Sequence, residues 1–183
     1  MKKICITFLA VMFLAAPAFA QNNGWFVSLG GGVNINQEGY RHDGGYGVAP
    51  ALSVGAGMWF SPDLGVKLGY DGMKLKNDKF FKDGVDYNVL SASLLWNLSN
   101  TISGDDESRL VSFVPYVMFG ASVGSRTALT AGAGLSMPIS LSSAISIVPD
   151  IRVSYIQDKI YTDAYDKGQN MVFEPTLNLR YSF

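Results

Sequence analysis

The chain has 183 residues, enough for one domain, and its single cysteine is Cys5. With 14 Lys and Arg against 15 Asp and Glu it is nearly neutral, which leaves no basic surface for nucleic acid. Hydrophobic residues make up 48% and charged ones only 16%. That is greasy for a secreted soluble domain, yet no apolar run after residue 20 reaches the roughly 18 residues a helical membrane span needs.

The first predicted element is a secretory signal over residues 1–20. Lys2 and Lys3 form a short basic start, residues 4–16 are apolar, and Ala18-Phe19-Ala20 has the A-x-A form of a cleavage site. The remaining 21–183 form a single domain of 163 residues (183 − 20), with 12 basic against 15 acidic residues and no cysteine. Disulfides, thiolate metal sites and cysteine nucleophiles are thereby excluded from it.

Eight segments alternate with period two, the strand period. Segment 25–35 sends Trp25, Val27, Leu29, Val33 and Ile35 to one face and Phe26, Ser28, Gly30, Gly32 and Asn34 to the other. Segment 48–60 follows, then a Ser61-Pro62-Asp63 turn and segment 64–71, with Leu64, Val66, Leu68 and Tyr70 opposite Gly65, Lys67, Gly69 and Asp71. Segments 87–98, 112–124, 128–141 and 145–157 repeat the pattern. The last of these sets Ile145, Ile147, Ile151, Val153 and Tyr155 against Ser146, Asp150, Arg152 and Ser154. The final segment, 173–183, has apolar residues at odd positions through Leu177, Leu179, Tyr181 and Phe183. Pro50, Pro115, Pro149 and Pro175 fall inside these strands and predict bulges or shifted strand ends.

Connections after odd-numbered segments (36–47, 73–84, 125–127, 158–170) are mostly long and polar, and two of the three after even-numbered ones are tight. The connection 99–110, which carries Gly104-Asp105-Asp106-Glu107, is the exception and reads as a solvated loop. Alternating long and short connections, period-two strands and an aromatic end describe an all-β fold: an eight-stranded antiparallel up-and-down transmembrane β-barrel, both termini on the periplasmic side, preceded by a cleaved signal peptide. A soluble periplasmic β-sandwich is the alternative fold. The larger aliphatic residues share one face and the small or charged ones the other, the reverse of a soluble ligand-binding barrel. Eight strands leave an interior just wide enough to be filled by side chains.

Lys67, Asp71, Asp150, Arg152, Glu174 and Arg180 all have inward parity. Burial requires them to be paired, so an internal network of ion pairs and hydrogen bonds is expected. Trp25, Phe60, Trp96, Phe113, Tyr181 and Phe183 fall near one rim as an aromatic girdle, with Phe26, Trp59 and Tyr116 inside the same mouth. Tyr40, Tyr46, Phe80, Phe81, Tyr161 and Tyr165 give the long loops contact area.

The glycine and histidine motifs do not point to catalysis. The pairs in Gly30-Gly31-Gly32, Gly55-x-Gly57 and Gly132-x-Gly134 lack a phosphate loop's Lys-Ser/Thr and its strand-to-helix context. His42, beside Asp43, is the only histidine. A lipid A-modifying barrel would need a serine near a late-strand histidine, or an N-terminal amphipathic helix for which residues 21–25 leave no room. No catalytic, cofactor or metal site is expected.

The chain resembles the small outer-membrane β-barrel family that includes OmpX and the transmembrane domain of OmpA. The resemblance rests on the leader, the eight segments, Trp96-Asn97-Leu98-Ser99-Asn100 with Pro115-Tyr116-Val117-Met118-Phe119-Gly120 downstream, and the ending 177–183. It implies that Leu177, Leu179, Tyr181 and Phe183 form the signal read by the barrel assembly machinery, with periplasmic chaperones acting before insertion. It implies residence in the outer membrane of a Gram-negative-type bacterium, in contact with its lipid and lipopolysaccharide. It maps the family's interior charges onto the six residues above. No peptidoglycan-binding domain follows Phe183, so tethering by that route is not implied. The expected role is structural and surface-interacting: a plugged polar core with loops that meet a host or cell-surface ligand. A narrow porin-like channel for ions or small solutes is the alternative, and a lipid A-modifying enzyme centred on His42 a more distant one.

Overall fold

The computed structural model describes residues 24–37, 46–77, 81–104, 109–122, 128–157 and 170–183. In chain order these form β1 (Trp25–Gln37), β2 (Tyr46–Trp59), β3 (Leu64–Asn77), β4 (Phe81–Trp96), a short helix α1 (Leu98–Ser103), β5 (Val114–Ser122), β6 (Leu129–Ser136), β7 (Ile139–Ser140), β8 (Ile145–Ile156) and β9 (Asn170–Ser182). Neighbours in the ring pair antiparallel, and β1 pairs with β9, so the sheet closes on itself. β6 and β7 run along β8 in one register, from Thr130↔Ile156 to Ser136↔Asp150 and on to Ile139↔Ile147. They are two parts of one wall position, and the wall has eight.

The period-two sequence pattern becomes an inside and an outside. On β4, Val89, Ser91, Ser93 and Leu95 are buried while Leu90, Ala92, Leu94 and Trp96 are exposed. On β8 the buried set is Asp150, Arg152, Ser154 and Ile156, between exposed Ile151, Val153 and Tyr155. Large apolar residues face outward all round the ring, with Leu68 69% and Phe119 68% exposed. Leaving such a side chain in water forgoes about 1.5–3 kcal/mol of burial each. An apolar surrounding removes that cost, and a closed ladder is the strand arrangement that tolerates it.

The prolines behave differently from expectation. The register runs unshifted through Val33↔Pro50, Pro115↔Leu135, Pro149↔Leu177 and Ile151↔Pro175. A strand residue aims both backbone polar groups at one neighbour, so a proline costs one bond on one side while the other ladder continues. All four have outward parity, so their rings take no space in the lumen. At Pro175 the cost is visible: the β1–β9 pairing stops after Gly32↔Thr176 and resumes in phase at Ile35↔Phe173. Pro138, not singled out beforehand, is where a strand is broken. It separates β6 from β7; Met137 N–H still reaches the Pro149 carbonyl at 2.9 Å, while the Pro138 carbonyl accepts from Ser112 N–H at 3.0 Å. Among the described residues the one register shift in a strand pair lies between Leu75 and Asn77.

Two connections also differ. The expected loop 73–84 is largely strand: β3 continues to Asn77 and β4 starts at Phe81. Lys82, Asp83 and Gly84 have loop composition, but here they extend a hairpin. The connection 99–110 opens with α1, whose N-terminus is capped by Asn97 Oδ1 accepting from Asn100 N–H at 3.2 Å. Phe81 and Tyr46 therefore occupy the first positions of β4 and β2, not loops. Tyr40, His42, Phe80, Tyr161, Tyr165 and the signal 1–20 lie outside the described residues.

The lumen is filled by setting large residues opposite glycine. Phe26 faces Gly57 across β1–β2, and Tyr116 faces Gly134 across β5–β6. A Cβ on Gly134 would lie 2.5 Å from the Tyr116 ring and hydroxyl and 2.7 Å from the Ile151 carbonyl. Gly134→Leu is expected to destabilise the barrel by about 1–3 kcal/mol or more, read as a lower urea midpoint in lipid vesicles. Gly31→Ala, outward-facing with only the Ala51 carbonyl near at 3.4 Å, should leave the midpoint almost unchanged.

Candidate functional site in the barrel interior

Three strands supply the six interior charges: Lys67 and Asp71 from β3, Asp150 and Arg152 from β8, Glu174 and Arg180 from β9. The β8–β9 register sets Arg152 opposite Glu174. Arg152 Nε donates to Glu174 Oε2 at 2.8 Å, and Nη2 lies 2.6 Å from the same oxygen. Arg152 Nη1 reaches across the lumen to Asp71 Oδ2 at 2.7 Å. One planar guanidinium thus holds two carboxylates on strands that are not neighbours, a geometry its fork of donors suits and a lysine could not reproduce. All three residues are buried.

Asp150 is held differently. It accepts from Tyr116 Oη at 2.7 Å and from Ser136 Oγ. Ser136 is its direct β6–β8 partner, whereas Tyr116 reaches over Gly134 from β5. Lys67 and Arg180 form no ion pair among the described residues. The Lys67 ammonium lies 5.6 Å from the Tyr116 ring centroid, and the Arg180 guanidinium lies 4.4 Å from that of Phe26. Both are cation–π placements. Asn178 Nδ2 adds bonds to Thr176 Oγ1 at 3.0 Å and the Val148 carbonyl at 3.4 Å.

The set balances: Lys67, Arg152 and Arg180 against Asp71, Asp150 and Glu174. A cavity of about 10 Å³ lies among Ser53, Lys67, Asp71, Asp150, Arg152, Glu174, Thr176 and Asn178, space for about one water molecule. Toward the rim near the termini, Phe26, Leu95 and Val114 are buried, with the Phe26 and Trp59 rings 6.3 Å apart. Toward the other rim stand buried Val89, Ala128, Ile156 and Val172. A charged belt therefore lies between two apolar layers.

The structure brings all six parity-selected charges into this interior and joins three directly. Tyr116, expected only to narrow a mouth, is a hydrogen-bond donor to the network. Ser136, Thr176, Asn178 and Ser53 were not anticipated as members; combining inward parity with strand register would have found them. No group of three potential metal ligands occurs among the described residues.

The ring of eight antiparallel wall positions matches solved structures. One is Neisserial surface protein A, with a TM-score of 0.55 and 15% identity over 87% of this chain and 97% of that one. Another is Ail, the attachment invasion locus protein of Yersinia pestis, at 0.51 and 14% over 89% and 100%. A third is the N-terminal β-barrel domain of OprF from Pseudomonas aeruginosa, at 0.51 and 11% over 88% and 100%. The fold is that of the small outer-membrane β-barrels. No protein-family model and no curated protein sequence matches the chain.

Arg152→Met leaves Asp71 and Glu174 buried without their cation and is expected to cost about 3–5 kcal/mol of unfolding free energy. The triple variant Arg152→Met, Asp71→Leu, Glu174→Leu removes the charges together and should be less destabilised than the single. Urea titrations of both in vesicles check the ordering; a triple variant weaker than the single would contradict it.

Proposed function

We propose that this barrel resides in the outer membrane of a Gram-negative-type bacterium, with its termini in the periplasm and in contact with outer-membrane lipid and lipopolysaccharide. Its role is structural and surface-interacting, without catalysis. The observation that carries this reading is the filled lumen: among the described residues the charged belt leaves a void of about 10 Å³, and buried apolar side chains stand on either side of it.

The outer end supplies the contact surface. β2 pairs with β3 only as far as Ala51↔Met73, and β5 pairs with β4 only from Ser122↔Val89. Beyond those points, among the described residues, the two strands pair only with each other, from Lys74↔Asp86 to Asn77↔Phe81. Among the described residues this two-stranded ribbon has no strand partner on either edge, a shape that offers main-chain hydrogen bonds to another polypeptide. The segments carrying Tyr40, Phe80, Tyr161 and Tyr165 connect strands at the same end. A host or cell-surface ligand fits this arrangement. At the opposite end, Leu177, Leu179, Tyr181 and Phe183 form the assembly signal, with Tyr181 and Phe183 edge to face at 4.9 Å.

A narrow channel is the second reading, favoured by the charged belt itself. Planar-bilayer recording of purified barrel separates the two: no steady unit currents are expected, and regular conductance steps at low voltage would overturn the closed interior. Replacing residues 74–87 by a short turn should preserve the heat-dependent gel shift of a folded barrel while lowering cell-surface binding at least several-fold. Binding unchanged by that deletion would remove the ribbon from the contact surface.

A further inference from the structure

α1 is fastened to the rim of the barrel nearest the termini. Asn97 N–H donates to the Asp63 carbonyl at 2.7 Å, and Leu98 N–H to the Phe113 carbonyl at 3.0 Å. Phe113 N–H donates to Ser99 Oγ at 2.8 Å, and Asn100 Nδ2 to the Pro62 carbonyl at 2.9 Å. Arg109 closes the far end, with Nη1 on Asn100 Oδ1 at 2.6 Å and Nη2 on the Gly104 carbonyl at 2.9 Å. The indole Nε1 of outward-facing Trp96 donates to Thr101 Oγ1 at 2.9 Å, which sets the helix beside the outer face of the wall.

The polarity of this helix is inverted for one surrounded by water. Three of its four polar side chains, Ser99, Asn100 and Thr101, are bonded to the protein, and Ser103, at its last position, is exposed. None of its residues is buried, and Ile102 is 73% exposed. It carries no acidic residue in its first turn and no basic one in its last. The chain returning to the wall exposes Leu110, Val111 and Phe113. These residues and Trp96 extend the apolar outer surface at that rim. A helix that turns polar groups to protein and apolar groups outward suits the boundary between headgroups and acyl chains.

We propose that α1 is an interfacial foot, seated in the phospholipid leaflet on the side of the termini and held there by Ile102 next to Trp96 and Phe113. The proposal rests on the reading of the chain as a membrane barrel. It assigns the occupant of this surface as lipid, not as a soluble partner or a second copy.

Spin labels read by power saturation test it, in a Cys5→Ser background reconstituted in phosphatidylethanolamine–phosphatidylglycerol vesicles. Labels go at Ile102→Cys, at Phe119→Cys on the wall and at Ser143→Cys in the exposed turn before β8. Position 102 is expected to favour oxygen over a water-soluble nickel chelate several-fold relative to 143, at a shallower depth than 119. A label at 102 as open to the chelate as 143, with 119 in lipid, overturns the foot and leaves the membrane barrel intact. A label at 119 that is also water-exposed overturns the membrane reading itself. Shielding of 102 from both reagents indicates protein contact and likewise overturns the foot. If Ile102→Cys does not yield a heat-modifiable barrel, exposed Ser103→Cys carries the same measurement.

Discussion

The ladder between β1 and β9 joins the first described strand to the last, and with it the sheet loses both edges. In an apolar surrounding this is obligatory, because each unpaired backbone N–H or C=O there costs several kcal/mol. Once the ring closes, period two leaves every side chain only two destinations. The outer one takes Leu68, Phe119 and their neighbours. The inner one is a narrow tube that must be filled, and every charge sent into it needs partners.

The contents of the tube follow from that narrowness. A ring of eight leaves little room for large aromatic rings, and a glycine on the neighbouring strand makes it. Phe26 and Tyr116 therefore lie over glycines, Gly57 and Gly134. Of the glycine motifs that resemble nucleotide loops in one dimension, Gly57 and Gly134 are, in the barrel, the seats of Phe26 and Tyr116. The charges obey the same constraint by sharing: one guanidinium serves two carboxylates, one carboxylate takes two hydroxyls, and two cations rest on aromatic faces.

How far this was readable from residues alone depends on the range of the interaction. Alternation is local, so the strands, the two faces and the inward set of six charges followed from it, as did the aromatic ending. Which charges meet depends on stagger between strands, and Asp71 and Arg152 lie 81 positions apart. No local pattern carries that distance. The prolines show the same limit from the other side. Pro50, Pro115, Pro149 and Pro175 looked disruptive because a missing donor is obvious in sequence, but outward parity and a second ladder absorb them. Pro138, which separates β6 from β7, differs from them in having inward parity. α1 was missed because two turns are too short for periodicity to register; its cap, Asn97, was the one available sign.

The clamp centred on Arg152 also has a bearing on time. Its Arg152–Asp71 arm ties β3 to β8, which are not neighbours, so that arm forms only when the hairpins have already been gathered into a ring. An interaction absent until the last step contributes little to the rate of assembly and nearly all its strength to the barrier against coming apart. The network is then a brake on dismantling. The closed barrel's lifetime, more than its speed of formation, is what these three buried residues set.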